Sequence, residues 1–413
     1  MKVKFLFLFF FLFIIAQHLH AQWVQLTSNT AANLTGIHCT DANNCFAAGT
    51  TGNVRKTING GTNWTVIGSG TFTDMAAVKM YDLNNIWIGM VNGTFRYSAN
   101  GGTLWSTVTP VTTSHVIYDV FFHNATDYIA VGGSSSNQTS GGNVTITSTN
   151  GGTSWTAVNN SGVPTMFGIH CLNDTTCVAV AGAETVYKTT DGGANWVTKY
   201  SGTTATLFDV HFPTSTVGYA VGGSPTSPAT GGIAKKTIDG GETWTNVTLP
   251  VPNTLYGVHF VNADTGFVVG NAGVIMKTEN AGTSWVQQPS SVVTDLNKVI
   301  FLNDTVGYVS GTGGVILKTT NGGFPTGINE QVSVQNLYTL YGNPLRNEMK
   351  IQTNFEMQNA NFILVNEFGQ QMESRKSVSG NTISVNISQV ASGIYFFRLN
   401  DGVKIISGKF IVN

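Results

Sequence analysis

Three sets of residues in this sequence have types and spacings that could do chemistry. Asp74, Asp119 and Asp209 recur at related places in a repeated segment, and two carboxylates flanking a glycosidic bond are the machinery of glycoside hydrolysis. His38, His170, His211 and His259 occupy one recurring position that holds Lys79, Phe121 and Ile300 in other copies; a ring of inward imidazoles could hold a metal or an anion. Cys39 and Cys45, then Cys171 and Cys177, share the spacing C-x5-C, which suits a short disulfide or a pair of thiolate ligands. All three sets obey a repeat, and a repeat copies any residue that packs well. Packing is therefore the favoured role for the histidines, and a catalytic pair would be expected to break the pattern.

The repeat itself is a turn. Its copies are Thr57-Ile-Asn59-Gly-Gly61-Thr-Asn-Trp64, Ser98 to Trp105, Ser148 to Trp155, Thr189 to Trp196, Thr237 to Trp244, Thr278 to Trp285, and Thr319-Thr-Asn321-Gly-Gly323, which lacks its Trp. Asn59, Asn100, Asn150, Asp191, Asp239, Asn280 and Asn321 stand 41, 50, 41, 48, 41 and 41 residues apart. A unit of about 41 residues is the length of one four-stranded propeller blade. The sixth unit shows the strands most cleanly: 256–261, 265–269, 273–278 and 284–287. The box falls in the turn from third to fourth strand. There an Asn or Asp side chain accepts backbone N–H groups, and the following Gly takes a positive φ. The Trp heads the outer strand and packs over the turn, burying ~150–250 Å². At ~25 cal/mol per Å² its packing outweighs hydrogen bonds of ~1 kcal/mol each.

These turns resemble the Asp-box, or BNR, repeat of sialidases and of many propellers that catalyse nothing. The fuller pattern, as in Val186-Tyr-Lys-Thr-Thr-Asp-Gly-Gly-Ala-Asn-Trp196, is most similar to the seven-bladed photosystem II stability and assembly factor family. The resemblance covers residues 23 to about 323 and implies an all-β, seven-bladed propeller acting as a binding scaffold. A sialidase reading fails on the arginine triad that family requires, since residues 22–326 contain only Arg55 and Arg96.

The missing seventh Trp is found at the other end of the chain. Gln22-Trp23-Val-Gln-Leu26 copies the outer strand Trp285-Val-Gln287, so the N-terminal strand is expected to complete the last blade. Trp23 thus joins Trp64, Trp105, Trp155, Trp196, Trp244 and Trp285 as the blade tryptophans. Closing the ring removes open sheet edges. The cysteine pairs take matched hairpin positions in units one and four and are expected to form disulfides Cys39–Cys45 and Cys171–Cys177. A four-thiol metal site would need those units to meet across the ring. The longer offsets come from insertions at 134–141 and 224–231, between second and third strands and opposite the Asp-boxes. Loops that depart from a repeat tend to carry binding, which makes Ser134, Asn137, Ser224 and Thr226 the candidate ligand residues. Tyr118, Tyr128 and Tyr256 stay unassigned.

The ends of the chain carry addresses. Met1-Lys-Val-Lys4, twelve apolar residues from Phe5 to Ala16 and a small residue at Ala21 predict a signal peptide over residues 1–21. Twelve residues span only ~18 Å as a helix, too short for a hydrocarbon layer of ~30 Å. Residues 22–326 would be the propeller, 327–337 a linker and 338–413 a small β-sandwich. In that last part Gly342-Asn343-Pro344, Glu367-Phe-Gly369-Gln, Ile387 to Phe396 and Lys409-Phe-Ile-Val412 resemble the type A sorting domain of the type IX secretion system. The resemblance implies handling by an outer-membrane translocon, release or lipopolysaccharide attachment, and a bacterium of the Bacteroidetes type.

Composition agrees with an extracellular address: charged residues are 10% against a usual ~25%. A net charge of −1 speaks against nucleic acid, which needs a clustered basic face. No metal, cofactor or transmembrane span is expected. The functional expectation is a secreted or surface-attached binding or adhesion scaffold for a protein or glycan, with an extracellular glycoside hydrolase as the rival.

Overall fold

The computed structural model describes residues 23–110, 115–202, 205–224, 231–323, 338–341, 348–366, 370–388, 390–401 and 405–412. The expected signal peptide, the linker and Thr226 lie outside these residues, as do Gly342-Asn343-Pro344 and Glu367-Phe-Gly369. The repeats fold as seven four-stranded antiparallel sheets in which strands pair in chain order. Blade one is Leu34–Cys39, Cys45–Gly49, Asn53–Thr57 and Thr65–Gly68. Blade seven takes Leu296–Phe301, Gly307–Gly311 and Ile316–Thr319 from its own unit and Val24–Leu26 from the N-terminus. The closing strand runs antiparallel, with Val24 opposite Lys318 and Leu26 opposite Ile316.

Burial grades outward along each blade. Second strands such as Ile86–Met90 and Tyr128–Gly133 are buried at every position, because a blade packs on each of their faces. Outer strands such as Ser106–Val108 are largely exposed, so their sequences alternate less strictly. The box turns seat each blade on the one before it. Gly152 holds φ +79°, and a Cβ there would meet the Trp87 ring of the preceding blade at 2.2 Å. Only glycine admits that approach.

The Asp-box hydrogen bonds recur through blades one to six. Asn59 Oδ1 accepts the Asn63 N–H at 3.0 Å, and Asp191 Oδ1 accepts the Asn195 N–H at 2.9 Å. The box hydroxyl closes the turn with a second bond. Thr57 Oγ1 accepts the Gly61 N–H at 2.9 Å, and Ser98, Ser148, Thr189, Thr237, Thr278 and Thr319 do the same for the second Gly of their boxes. Trp23, Trp64, Trp244 and Trp285 are buried, whereas Trp105, Trp155 and Trp196 are half-buried.

Both cysteine pairs form disulfides, each at the last paired position of the hairpin between first and second strands. Loops this short give about 2 kcal/mol each by loop-closure entropy. Substituting Cys171 and Cys177 together with Ala should lower the unfolding free energy by about 2 kcal/mol, read as a fall in the urea midpoint equal to that amount divided by the denaturant slope; an unchanged midpoint would mean that the bridge adds nothing to stability.

The C-terminal residues form one five-stranded sheet: Tyr338–Tyr341, Glu348–Asn366, Gln371–Asn386, Gly393–Asn400 and Ile405–Val412. The 19-residue strand Glu348–Asn366 shifts register repeatedly against its neighbour. Those irregularities bend the sheet until it nearly closes around Met349, Ile351, Phe362, Leu364, Phe397 and Phe410. No helix of the described residues is long and apolar enough to cross a membrane.

Candidate functional site

Every inner strand carries one irregularity at the same place. The register shifts between Leu34 and Gly36, Met75 and Ala77, Ile117 and Asp119, Met166 and Gly168, Leu207 and Asp209, Leu255 and Gly257, and Leu296 and Lys298. A bulge inserts one unpaired residue and re-aims its side chain. The seven bulged residues all line one cavity of about 300 Å³ on the ring axis. In blades three to six they are Tyr118, Phe167, Phe208 and Tyr256; in blades seven, one and two they are Asn297, Thr35 and Ala76. The mouth of the channel is therefore aromatic over four blades and small or polar over three.

The aromatic residues form a continuous arc. Ring centroids are 4.6 Å apart for Tyr118 and Phe167, 5.5 Å for Phe167 and Phe208, and 5.4 Å for Phe208 and Tyr256. Phe167 is buried and the other three are half-buried. Burial raises the hydroxyl pKa of Tyr118 and Tyr256, so both remain protonated at neutral pH.

Two ion pairs form the floor of this cup. Lys79 Nζ lies 3.2 Å from Asp119 Oδ1, and Lys298 Nζ lies 2.8 Å from Asp209 Oδ1. Asp119 also accepts the Val120 and Ile169 N–H groups, and Asp209 accepts those of Val210 and Val258. Each carboxylate thus pins its own blade to the next one. Burial alone would raise the Asp119 carboxyl, but Lys79 and Lys298 bring it below its usual value. Lys298, despite burial, is raised by Asp209 and Asp119. Asp74 belongs elsewhere: its exposed carboxylate accepts the Thr51 N–H at 2.7 Å in the turn of the preceding blade. The three acids grouped by the repeat therefore split into two structural roles.

Below the ion pairs a second cavity of about 190 Å³ is lined by His38, His170, His211 and His259 with Phe121 and Ile300. The rings pass from blade to blade, with centroids 5.0 Å apart for His170 and His211 and 4.5 Å for His211 and His259. His38 Nδ1 accepts the Met80 N–H and His211 Nδ1 that of Phe260, both at 3.3 Å. With Nδ1 an acceptor, the hydrogen of each neutral ring sits on Nε2. Burial, followed by Lys79, pushes His38 down to about 3; burial holds His170 at about 4 and His259 at about 3. No three of these histidines bring ligand atoms within 4.8 Å of one another among the described residues. His123, Cys171 and Cys177 do, but those sulfurs are bonded to each other.

The insertion of blade three reaches the cup by a residue not singled out from sequence. Ser134 and Asn137 turn their polar groups into the loop: Ser134 Oγ accepts the Asn137 N–H, and Asn137 Oδ1 accepts the Ser140 N–H. Gln138 lines the cup, and its Oε1 is buried without a hydrogen-bond partner. Ser224 accepts a hydrogen bond from Thr254 at its carbonyl. Of the unassigned tyrosines, Tyr118 and Tyr256 line the cup, while Tyr128 is buried between blades with its hydroxyl on the Ala125 carbonyl. An aromatic residue just ahead of the Asp or Gly column in four successive units was the available signal for Phe167 and Phe208.

This architecture defines a seven-bladed Asp-box β-propeller with an axial cup, followed by a nearly closed β-sheet. Residues 236–364 match the family described as photosynthesis system II assembly factor YCF48, and residues 339–413 match the secretion system C-terminal sorting domain. YCF48 bound to D1 peptide is 17% identical, with a TM-score of 0.57 over 72% of this chain and 94% of that one. YCF48 from Cyanidioschyzon merolae is 18% identical, with a TM-score of 0.57 over 72% and 98%. The Niastella koreensis GH74 enzyme is 14% identical, with a TM-score of 0.57 over 94% of this chain and 74% of that one. These likenesses establish the fold. No curated protein is similar enough to count as a relative. The sorting domain points to secretion or cell-surface attachment.

Proposed function

We propose that this chain is an exported, non-catalytic binding module whose ligand seats in the axial cup. The observation that carries the reading is the contrast within the channel: an open aromatic mouth above carboxylates that are already occupied. A glycosidase acid must hold its proton near neutral pH. Asp119 is instead held below its usual value by Lys79 and Lys298, and Asp209 is bonded to a lysine and two backbone N–H groups. The remaining assignments follow the address signals: signal peptide 1–21, propeller 22–326, linker 327–337, and a type IX sorting domain 338–413 in a bacterium of the Bacteroidetes type. Mature protein passed over immobilised polysaccharides and peptides should be retained on a ligand without producing new reducing ends. New reducing ends that vanish in Asp119→Asn or Asp209→Asn would establish the rival hydrolase.

A further inference from the structure

We infer that the axial cup binds one neutral pyranose ring, the terminal residue of a glycan; this rests on the binding-module reading above. Three features of the cup choose the ligand. The first is its size and floor. A cavity of about 300 Å³ stands at the small end of ligand pockets, which run from about 300 to 1,000 Å³. The ion pairs Lys79–Asp119 and Lys298–Asp209 divide it from the histidine cavity. A ring can enter from the mouth, but a chain has no path through.

The second feature is charge. Two lysines and two aspartates face the channel, and each cation has its carboxylate. A charged ligand would lose hydration here without gaining an unpaired counter-charge, a loss that disfavours burial. A neutral ligand has no such cost.

The third feature is the distribution of unused polar atoms around an apolar wall. The arc from Tyr118 to Tyr256 offers a curved aromatic face on one side only. The Tyr118 and Tyr256 hydroxyls at its two ends make no hydrogen bond among the described residues. Gln138 Oε1, contributed by the insertion that breaks the repeat, is buried without a partner. The buried Gln138 Oε1 is costly while unmatched, and the two half-buried tyrosines have hydroxyls with bonding capacity to spare, so the preferred ligand is one that engages all three. A pyranose does so: its C–H face lies on the aromatic arc while its hydroxyls donate to Gln138 and exchange bonds with both tyrosines. An aromatic peptide side chain would use the arc and leave the polar atoms unmet.

The test titrates the full mature chain with the methyl pyranosides of glucose, galactose, mannose and xylose, with methyl glucuronate, and with capped phenylalanine amide. Calorimetry gives affinity, and saturation-transfer NMR gives the ligand protons in contact. At least one neutral pyranoside should bind, with its ring C–H protons most saturated and with glucuronate weaker by about tenfold or more. Phe208→Ala should weaken binding by about tenfold or more, and Tyr118→Phe, which keeps the ring and removes one hydroxyl, by about threefold to tenfold. Gln138→Ala lies in a surface loop and reports the polar contact in a chain whose core is untouched. Silence of all the pyranosides, or binding that survives all three substitutions, overturns the inference. Binding of the phenylalanine amide alone, abolished in Phe208→Ala, also overturns it but leaves the binding module standing. Turnover of a glycan overturns the module reading and not the sugar in the cup.

Discussion

Replacing Trp23 with Ala is expected to destabilise the propeller by about 3–5 kcal/mol and to lower its melting temperature by about 6–20 °C. Trp23 is fully buried, with its ring edge-on to Phe301 at 5.7 Å and to Phe267 at 6.3 Å. Its indole N–H donates to Gln288 Oε1 at 2.9 Å, and Gln288 Nε2 donates in turn to the Gly323 carbonyl at 2.8 Å. One side chain of blade six therefore holds both the strand that opens the ring and the turn that ends it. Losing the tryptophan leaves a cavity at the seam and strips Gln288 of a buried donor. Deleting residues 22–30 should cost more, because Arg55, itself buried, donates to the carbonyls of Ser28 and Asn29. The same substitution at Trp105, which is only half-buried, should cost less, so the pair separates closure from ordinary box packing. Scanning calorimetry on the three variants decides: an unchanged melting curve for the deletion would mean that the ring does not depend on its N-terminal strand.

The difference between Trp23 and the cup shows what a repeat makes visible in sequence. Period and turn chemistry mark every blade, and a missing Trp at one end matched by an extra one at the other marks the closure. Paired cysteines at matched hairpin ends were legible for the same reason, since their partners are local. The cup was not. Its residues lie where the two-residue alternation of a strand is interrupted by a bulge, so parity arguments place Tyr118 and Phe208 on the wrong face. The ion pairs were hidden by distance along the chain: Lys298 reaches Asp209 across blade six, which offers only Gly257 at that level. Repetition also misled where side chains of one type serve two purposes. Asp74 clamps a turn, whereas Asp119 and Asp209 tie neighbouring inner strands together. Gln138 could be located only as part of an insertion, because which of its residues turns inward depends on the loop's own hydrogen bonds.

Acidification should destabilise the ring steeply between pH 6.5 and about 4, and the histidine column is the cause. His38 is held at about 3, His170 at about 4 and His259 at about 3, and His211 lies well below its ordinary value, burial being the largest cause in each. Lys79 and Lys298 oppose protonation of all four, while Asp119 favours it at His38 and His170 without prevailing. The unfolded chain takes up these protons from about pH 6.5 downward, whereas the folded ring refuses them until near pH 4. Over that window the unfolded state binds more protons, so stability rises with pH and is lost as pH falls. Each histidine contributes about 1.4 kcal/mol per pH unit, which is about 2 kcal/mol at pH 5, and His38, His170 and His259 alone give about 6 kcal/mol, to which His211 adds in the same direction. That is comparable with the whole stability of a domain, ~5–15 kcal/mol. Asp119 acts outside this window: its lowered pKa gives stability that persists down to about pH 4 and is lost only below it. Urea midpoints should be flat from pH 8 to 7 and then fall. His170→Phe, which installs the residue that blade three carries as Phe121, should remove roughly a quarter of the slope. A flat profile from pH 7 to 5 would mean that the folded channel accepts protons and that its imidazoles are hydrated.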